Sequence, residues 1–160
     1  MEKNHSKMSN MHENHYPKLL IMAVLSFISM YILMYSMVNT FGNVYNNFNQ
    51  FYMAGLMTAP MVILELLVMG SMYPNKRLNL VTLGVSVIAL VGFFLFIRQQ
   101  AAIGDKQFLR SMIPHHSGAI LMCERSSIQD AEIQALCDSI IQSQQEEISQ
   151  MEAILERLKE

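Results

Sequence analysis

Residues 110–122 read RSMIPHHSGAILM and set two adjacent imidazoles, His115 and His116, between two thioethers, Met112 and Met122. Imidazole and thioether are soft-to-borderline donors that suit copper better than magnesium or calcium, and thioether in particular selects Cu(I) or Ag(I). At helical spacing Phe108, Met112, His115, Ala119 and Met122 recur in steps of four and three, so one face carries these donors. Further along, Ile133, Cys137, Ile140, Gln144, Glu147, Met151, Ile154 and Leu158 form an unbroken heptad seam. Gln144 and Glu147 are out of place there, because a polar group in an apolar seam costs stability unless it has a partner.

Folding the two segments back on each other near residue 130 supplies that partner. The pairing brings His116 level with Gln144, and Met112 level with Ile148, next to Glu147. The candidate metal set is therefore Met112, His115, His116, Met122, Gln144, Glu147 and Met151, with the carboxylate either ligating or fixing an imidazole tautomer. Cu(I) is the expected ion. Zinc or iron is possible on such donors, although no HExxH or CxxC spacing supports zinc. The competing reading is a His–His–Glu–Gln network that only fixes helix register. The same fold-back sets Cys123 level with Cys137. They form a disulfide, add soft ligands or stay inert as buried thiols, and a disulfide leaves no thiolate for a metal.

These residues sit in the polar end of a divided chain. Of 11 basic and 13 acidic side chains, only Lys3, Lys7, Lys18, Lys76, Arg77, Glu2, Glu13 and Glu65 precede residue 98. Nothing is basic enough to suggest nucleic acid. A bilayer core takes about 20 apolar helical residues, and Leu19–Val38, Phe51–Tyr73 and Leu78–Ile97 each meet that length. The first is an anchor and not a signal peptide, since its apolar run is too long and SMVNTFGN offers no small-x-small cleavage site. Residues 1–18 are then a polar tail, 19–97 a membrane domain with three transmembrane helices (19–38, 51–73, 78–97), and 98–160 a helical metal-binding domain. Lys3, Lys7, Lys18, Lys76 and Arg77 flank one side of the spans, against Arg98, Lys106 and Arg110 on the other. The positive-inside rule places the N-terminus in the cytoplasm and the C-terminal domain outside the cell membrane, where thiols can oxidise.

Other features invite a functional reading. In the second span Met61, Glu65, Met69 and Met72 fall within one arc, and an acid inside a membrane points to a pathway, a partner or a proton relay. Met30, Met34 and Met37 share a face of the first span. A Met-lined route for Cu(I) is one reading; adaptable methionine packing around a protonated Glu65 is the favoured one. The tail residues His5, Met8, Met11, His12 and His15 would chelate only weakly, in a short polar segment. In the C-terminal domain Asp105 is the expected N-cap of the first helix, Pro114 is expected to kink or restart it, and Ser127 or Asp130 caps the second. Two helices of this size bury too little apolar surface to stand alone. The expected architecture is all-α: three transmembrane helices, then a two-helix hairpin that dimerises about a two-fold axis into a four-helix bundle.

The stretch GDKQFLRSMIPHHSGAILM followed by LCDSIIQSQQEEISQM resembles domain-of-unknown-function family 305. Its members carry an Asp, a Phe, a Met-Ile-x-His-His, an Ala and a Met, then Gln-x-x-Glu-Ile-x-x-Met. Asp105, Phe108, Met112, Ile113, His115, His116, Ala119 and Met122 match the first part, and Gln144, Glu147, Ile148 and Met151 the second. The resemblance covers roughly residues 104–158 and implies a ferritin-like helical domain, extracytoplasmic copper or silver binding, and a three-span front end of a kind found among members. Cys123 and Cys137 depart from it, standing where the family more often has a small residue such as Ala. The function this implies is a membrane-anchored Cu(I)/Ag(I) binding protein for metal homeostasis or tolerance, with membrane lipid, metal ions and a second copy as partners. It is not read as an enzyme, because one seam glutamate and no Glu-x-x-His are too few for a ferritin-like oxidase. The runner-up is a membrane adaptor whose bundle docks a partner.

Overall fold

The computed structural model describes residues 15–158, and all regular structure among them is helical. The tail residues His5, Met8, Met11 and His12 lie outside the described residues. Helix α1 (Tyr16–Leu33) starts with Pro17 in its first turn, where no N–H is needed, and continues as a 3-10 turn over Met34–Met37. Helix α2 (Phe48–Val68) is capped by Asn47, whose Oδ1 accepts the Gln50 N–H at 2.8 Å. Helix α3 (Lys76–Gln99) is capped by Asn75, which accepts the Leu78 N–H at 3.1 Å. Such caps satisfy N–H groups that no carbonyl of the helix can reach.

Three segments are long and apolar enough to cross a membrane: Tyr16–Met37, Phe48–Val68 and Lys76–Gln99. The second begins and ends earlier than the apolar run suggests. Asn47 sets its start, and beyond Val68 the chain turns through Gly70–Met72, where glycine and the following Pro74 are poor helix formers. Met69 is the C-cap of α2, its N–H still bonded to the Glu65 carbonyl at 2.9 Å, whereas Met72 lies beyond the helix in the 3-10 turn and drops out of the arc with Met61 and Glu65. Glu65 instead accepts a hydrogen bond from the buried Tyr73 hydroxyl at 3.1 Å. Helix α2 lies between α1 and α3 and packs on both. At its closest approach Gly55 rests on the Phe93 ring, with no room for a Cβ. Outward residues such as Leu33 and Ile88 are 63% and 74% exposed, apolar surface of the kind that lipid covers.

Gln100 and Ala102, both in the left-handed region with φ of 49° and 56°, build the corner that turns the chain out of α3. Helix α4 (Asp105–Arg125) follows, with Gly104 in the capping position and no side-chain cap. Asp105 is thus not the N-cap but the first helical residue, where its charge complements the helix dipole. Pro114 does not restart the helix, which runs unbroken through it. Proline cannot bond the carbonyl four residues back, and that carbonyl, of Arg110, accepts from Asn47 Nδ2 at 3.4 Å. Helix α5 (Ala131–Arg157) is capped by Asp130, which accepts from the N–H groups of Glu132 and Ile133 at 2.9 and 3.0 Å; Ser127 plays no such part.

The α4–α5 hairpin encloses its own core, in which Leu109, Ile113 and Ile120 meet Ile148, Met151 and Leu155, with Ile141 at the margin. The contact line on α5 therefore runs through Ile141, Ile148 and Leu155. It keeps Met151 of the seam, with Cys137 bridged to Cys123 and Ile154 and Leu158 packed at its edge. It adds Ile141, Ile148 and Leu155 one position further on, so the seam is broadened to one side and not replaced. Ile133 is left 49% exposed. The shift follows from α4, which turns inward the stripe of Leu109, Ile113, His116 and Ile120 rather than the one that carries Met112, His115 and Met122. The hairpin also leans on the uncharged segment between α1 and α2. The buried Ser117 hydroxyl accepts the Asn39 N–H at 2.8 Å and donates to Asn39 Oδ1 at 2.6 Å. Asn49 Nδ2 donates to Ser111 Oγ at 3.2 Å, and the Phe48 N–H to Gln107 Oε1 at 3.0 Å.

Candidate metal centre

The adjacent histidines point to different surroundings, as successive residues of a helix must. His116 is buried, on the same stripe as Leu109, Ile113 and Ile120. Its Nε2 lies 2.6 Å from Glu147 Oε2 and its Nδ1 lies 3.0 Å from the Met112 carbonyl oxygen. Both ring nitrogens face oxygen acceptors, so no lone pair is turned toward open space while these contacts stand. The polar member of the seam thus has its partner, but it is Glu147 and not Gln144. Gln144 is half-buried and its side chain makes no hydrogen bond among the described residues.

His115 is exposed and faces the other way, into a cavity of about 550 Å³ between α4 and the end of the first span. Met112 and Met122 share that wall with it. The opposite wall holds Met34 and Met37 of the 3-10 turn and Met53 of α2, and Asn47, Asn49 and Gln50 also line the space. Gly118 faces Met37: a Cβ there would stand 3.5 Å from the Met37 carbonyl oxygen, an ordinary contact, so the spacing of the walls does not depend on glycine. No Asp, Glu, Lys or Arg lines the cavity.

The seven candidate donors therefore divide into three groups. Met112, His115 and Met122 gather at the cavity; His116 and Glu147 pair behind them; Met151 is buried in the hairpin core and Gln144 stands apart. Cys123 and Cys137 are joined in a disulfide with their Cα atoms 5.3 Å apart, which withdraws both sulfurs from thiolate chemistry. Among the described residues no three His, Cys, Asp or Glu side chains cluster as a metal site. The donors that do converge are thioethers. Met34 and Met37 are legible in the sequence only as one face of a span, and nothing singles out Met53. The available signal was position: all three lie at the ends of spans that flank the Asn-rich connection.

Residues 97–155 match the family described as Domain of unknown function (DUF305). The "Uncharacterized protein L153" of Acanthamoeba polyphaga mimivirus is 36% identical over 145 residues, which is 88% of this chain and 93% of that protein. The chain belongs to the DUF305 family. The similarity to the viral protein extends beyond the DUF305 region into the apolar helices, so the apolar front and the hairpin are shared as a unit. No solved structure matches the chain.

Proposed function

We propose that this DUF305 chain is a membrane-anchored protein that binds Cu(I) or Ag(I) for metal homeostasis or tolerance, without an enzymatic reaction of its own. The observation that carries the reading is the convergence of His115, Met112 and Met122 on one cavity while His116 is held aside by Glu147. Thioether with imidazole is a donor set that favours soft monovalent ions. Glu147 and His116 then act as support: by fixing the rotation of α4 they keep His115 and its methionine neighbours turned outward. In the cell membrane the N-terminus lies in the cytoplasm and the hairpin outside, in keeping with the basic residues that flank the spans. Protease added to intact cells should cut within 98–160 and spare the N-terminal tail; the reverse pattern would move the centre to the cytoplasm.

A ferritin-like four-helix bundle made from two copies belongs to the same proposal. Its support has narrowed, since the hairpin already rests on its own membrane domain. What remains is the open flank of α5, where Ile133 and Leu136 are 49% and 58% exposed beside Ile140. An Ile140→Asp substitution should dissociate such a dimer.

Metal analysis of the purified chain under reducing conditions tests the reading. A Cu(I) or Ag(I) content near zero would remove it. A second reading, an adaptor whose helices dock a partner, is favoured by one observation: both nitrogens of His116 are engaged, as a register lock needs. Retention of Cu(I) against a moderate chelator separates the two.

A further inference from the structure

The geometry points to a second half of this centre: we propose that Met34, Met37 and Met53 supply thioether ligands to the same ion, so that the spans form one wall of the site and do not merely anchor it. The inference rests on the soft-metal reading above and adds to it residues that lie outside 97–155, the region of the family match.

Three observations carry it. Met34, Met37 and Met53 face Met112, His115 and Met122 across one cavity. The spacing of the two walls is set by polar contacts and not left to chance. Ser117 and Asn39 exchange hydrogen bonds of 2.8 and 2.6 Å one residue from Gly118, and Asn39 lies two residues from Met37. Asn47 holds the Arg110 carbonyl freed by Pro114 and so ties α2 to α4. Finally, no Asp, Glu, Lys or Arg lines the space. A divalent ion there would bring two charges with no carboxylate to balance them, whereas neutral thioethers and one imidazole suit a monovalent soft ion. The space is larger than an ion. Methionine has three rotatable bonds and no branch, so five such side chains can close on a small guest without moving the helices.

Full-length chain in lipid nanodiscs, with Ag(I) as the air-stable probe, tests this. Replacing the span wall (Met34→Leu, Met37→Leu and Met53→Leu together) conserves volume and should weaken Ag(I) binding by about tenfold or more, since even residues that only support metal ligands cost about that much. The helical circular dichroism should be unchanged. Wild-type protein offers a second measurement that needs no variant. Ag(I) should shield Met34, Met37 and Met53 from peroxide oxidation as read by mass spectrometry, but not Met57, which does not line the cavity. A large excess of Zn(II) should not displace the silver. Unchanged Ag(I) affinity in the span-wall variant, or shielding of Met112 and Met122 alone, would overturn the two-walled site and leave binding by α4 standing. Wild-type protein that takes up no Ag(I) would overturn both.

Discussion

Helix α4 carries two stripes one residue apart, and they behave differently. Leu109, Ile113, His116 and Ile120 face α5 and are buried; Met112, His115, Ala119 and Met122 face the apolar helices across a cavity. Each stripe follows the same four-three rhythm and each contains one histidine. The difference lies in what opposes them. The first stripe meets a continuous aliphatic line on α5 plus one carboxylate, and its histidine becomes a fully engaged hydrogen-bonding group. The second meets flexible thioethers and amides, and its histidine stays open. Adjacent histidines are therefore better understood as one part of a frame and one part of a site than as a paired ligand.

Substitutions can separate the two stripes. The largest effect on stability is expected from Ile113→Ala, because Ile113 is fully buried at the centre of the hairpin core. The loss should be about 2–5 kcal/mol, read as an earlier thermal transition of the hairpin. Replacing both Cys123 and Cys137 by Ser should cost about 2–4 kcal/mol by releasing a loop with a sequence separation of 14. Equal melting of oxidised and reduced protein would show that the hairpin does not rely on this link. His116→Ala should cost about 1–3 kcal/mol, towards the lower end because the Glu147 side chain is 51% exposed and water can take over its contact. Ag(I) capacity should largely survive. The smallest structural effect belongs to His115→Ala, within about 0.5 kcal/mol for an exposed position, yet this variant should lose Ag(I) affinity. If His116→Ala abolishes metal binding and His115→Ala does not, the division of labour is reversed.

Much of the fold was legible in the sequence, because hydrophobicity is a property of runs of residues. The three spans, the two later helices, the Asp130 cap and the level pairing of Cys123 with Cys137 all follow from periodicity, length and turn chemistry. Boundaries near Asn47 and Gly70 shifted because single caps and breakers, not average hydropathy, decide where a helix stops. Pro114 stayed inside α4 because a residue far away in sequence, Asn47, serves the carbonyl it strands. No local pattern contains that contact.

By itself the sequence determined the kind of molecule: an apolar front, a polar helical end, and soft donors placed at helical intervals. It also marked two polar residues on α5, Gln144 and Glu147, as needing partners on α4, of which Glu147 has one. Only the tertiary structure decided which histidine took that role, because two stripes 100° apart satisfy the same rhythm and the choice depends on which surface opposes each. It likewise decided that methionines of the first two apolar segments face those of the hairpin. That juxtaposition arises from the corner at Gln100 and Ala102 and from the latch between Asn39 and Ser117, 78 residues apart. Contacts of that range are fixed by how the elements dock, and no stretch of chain carries them alone.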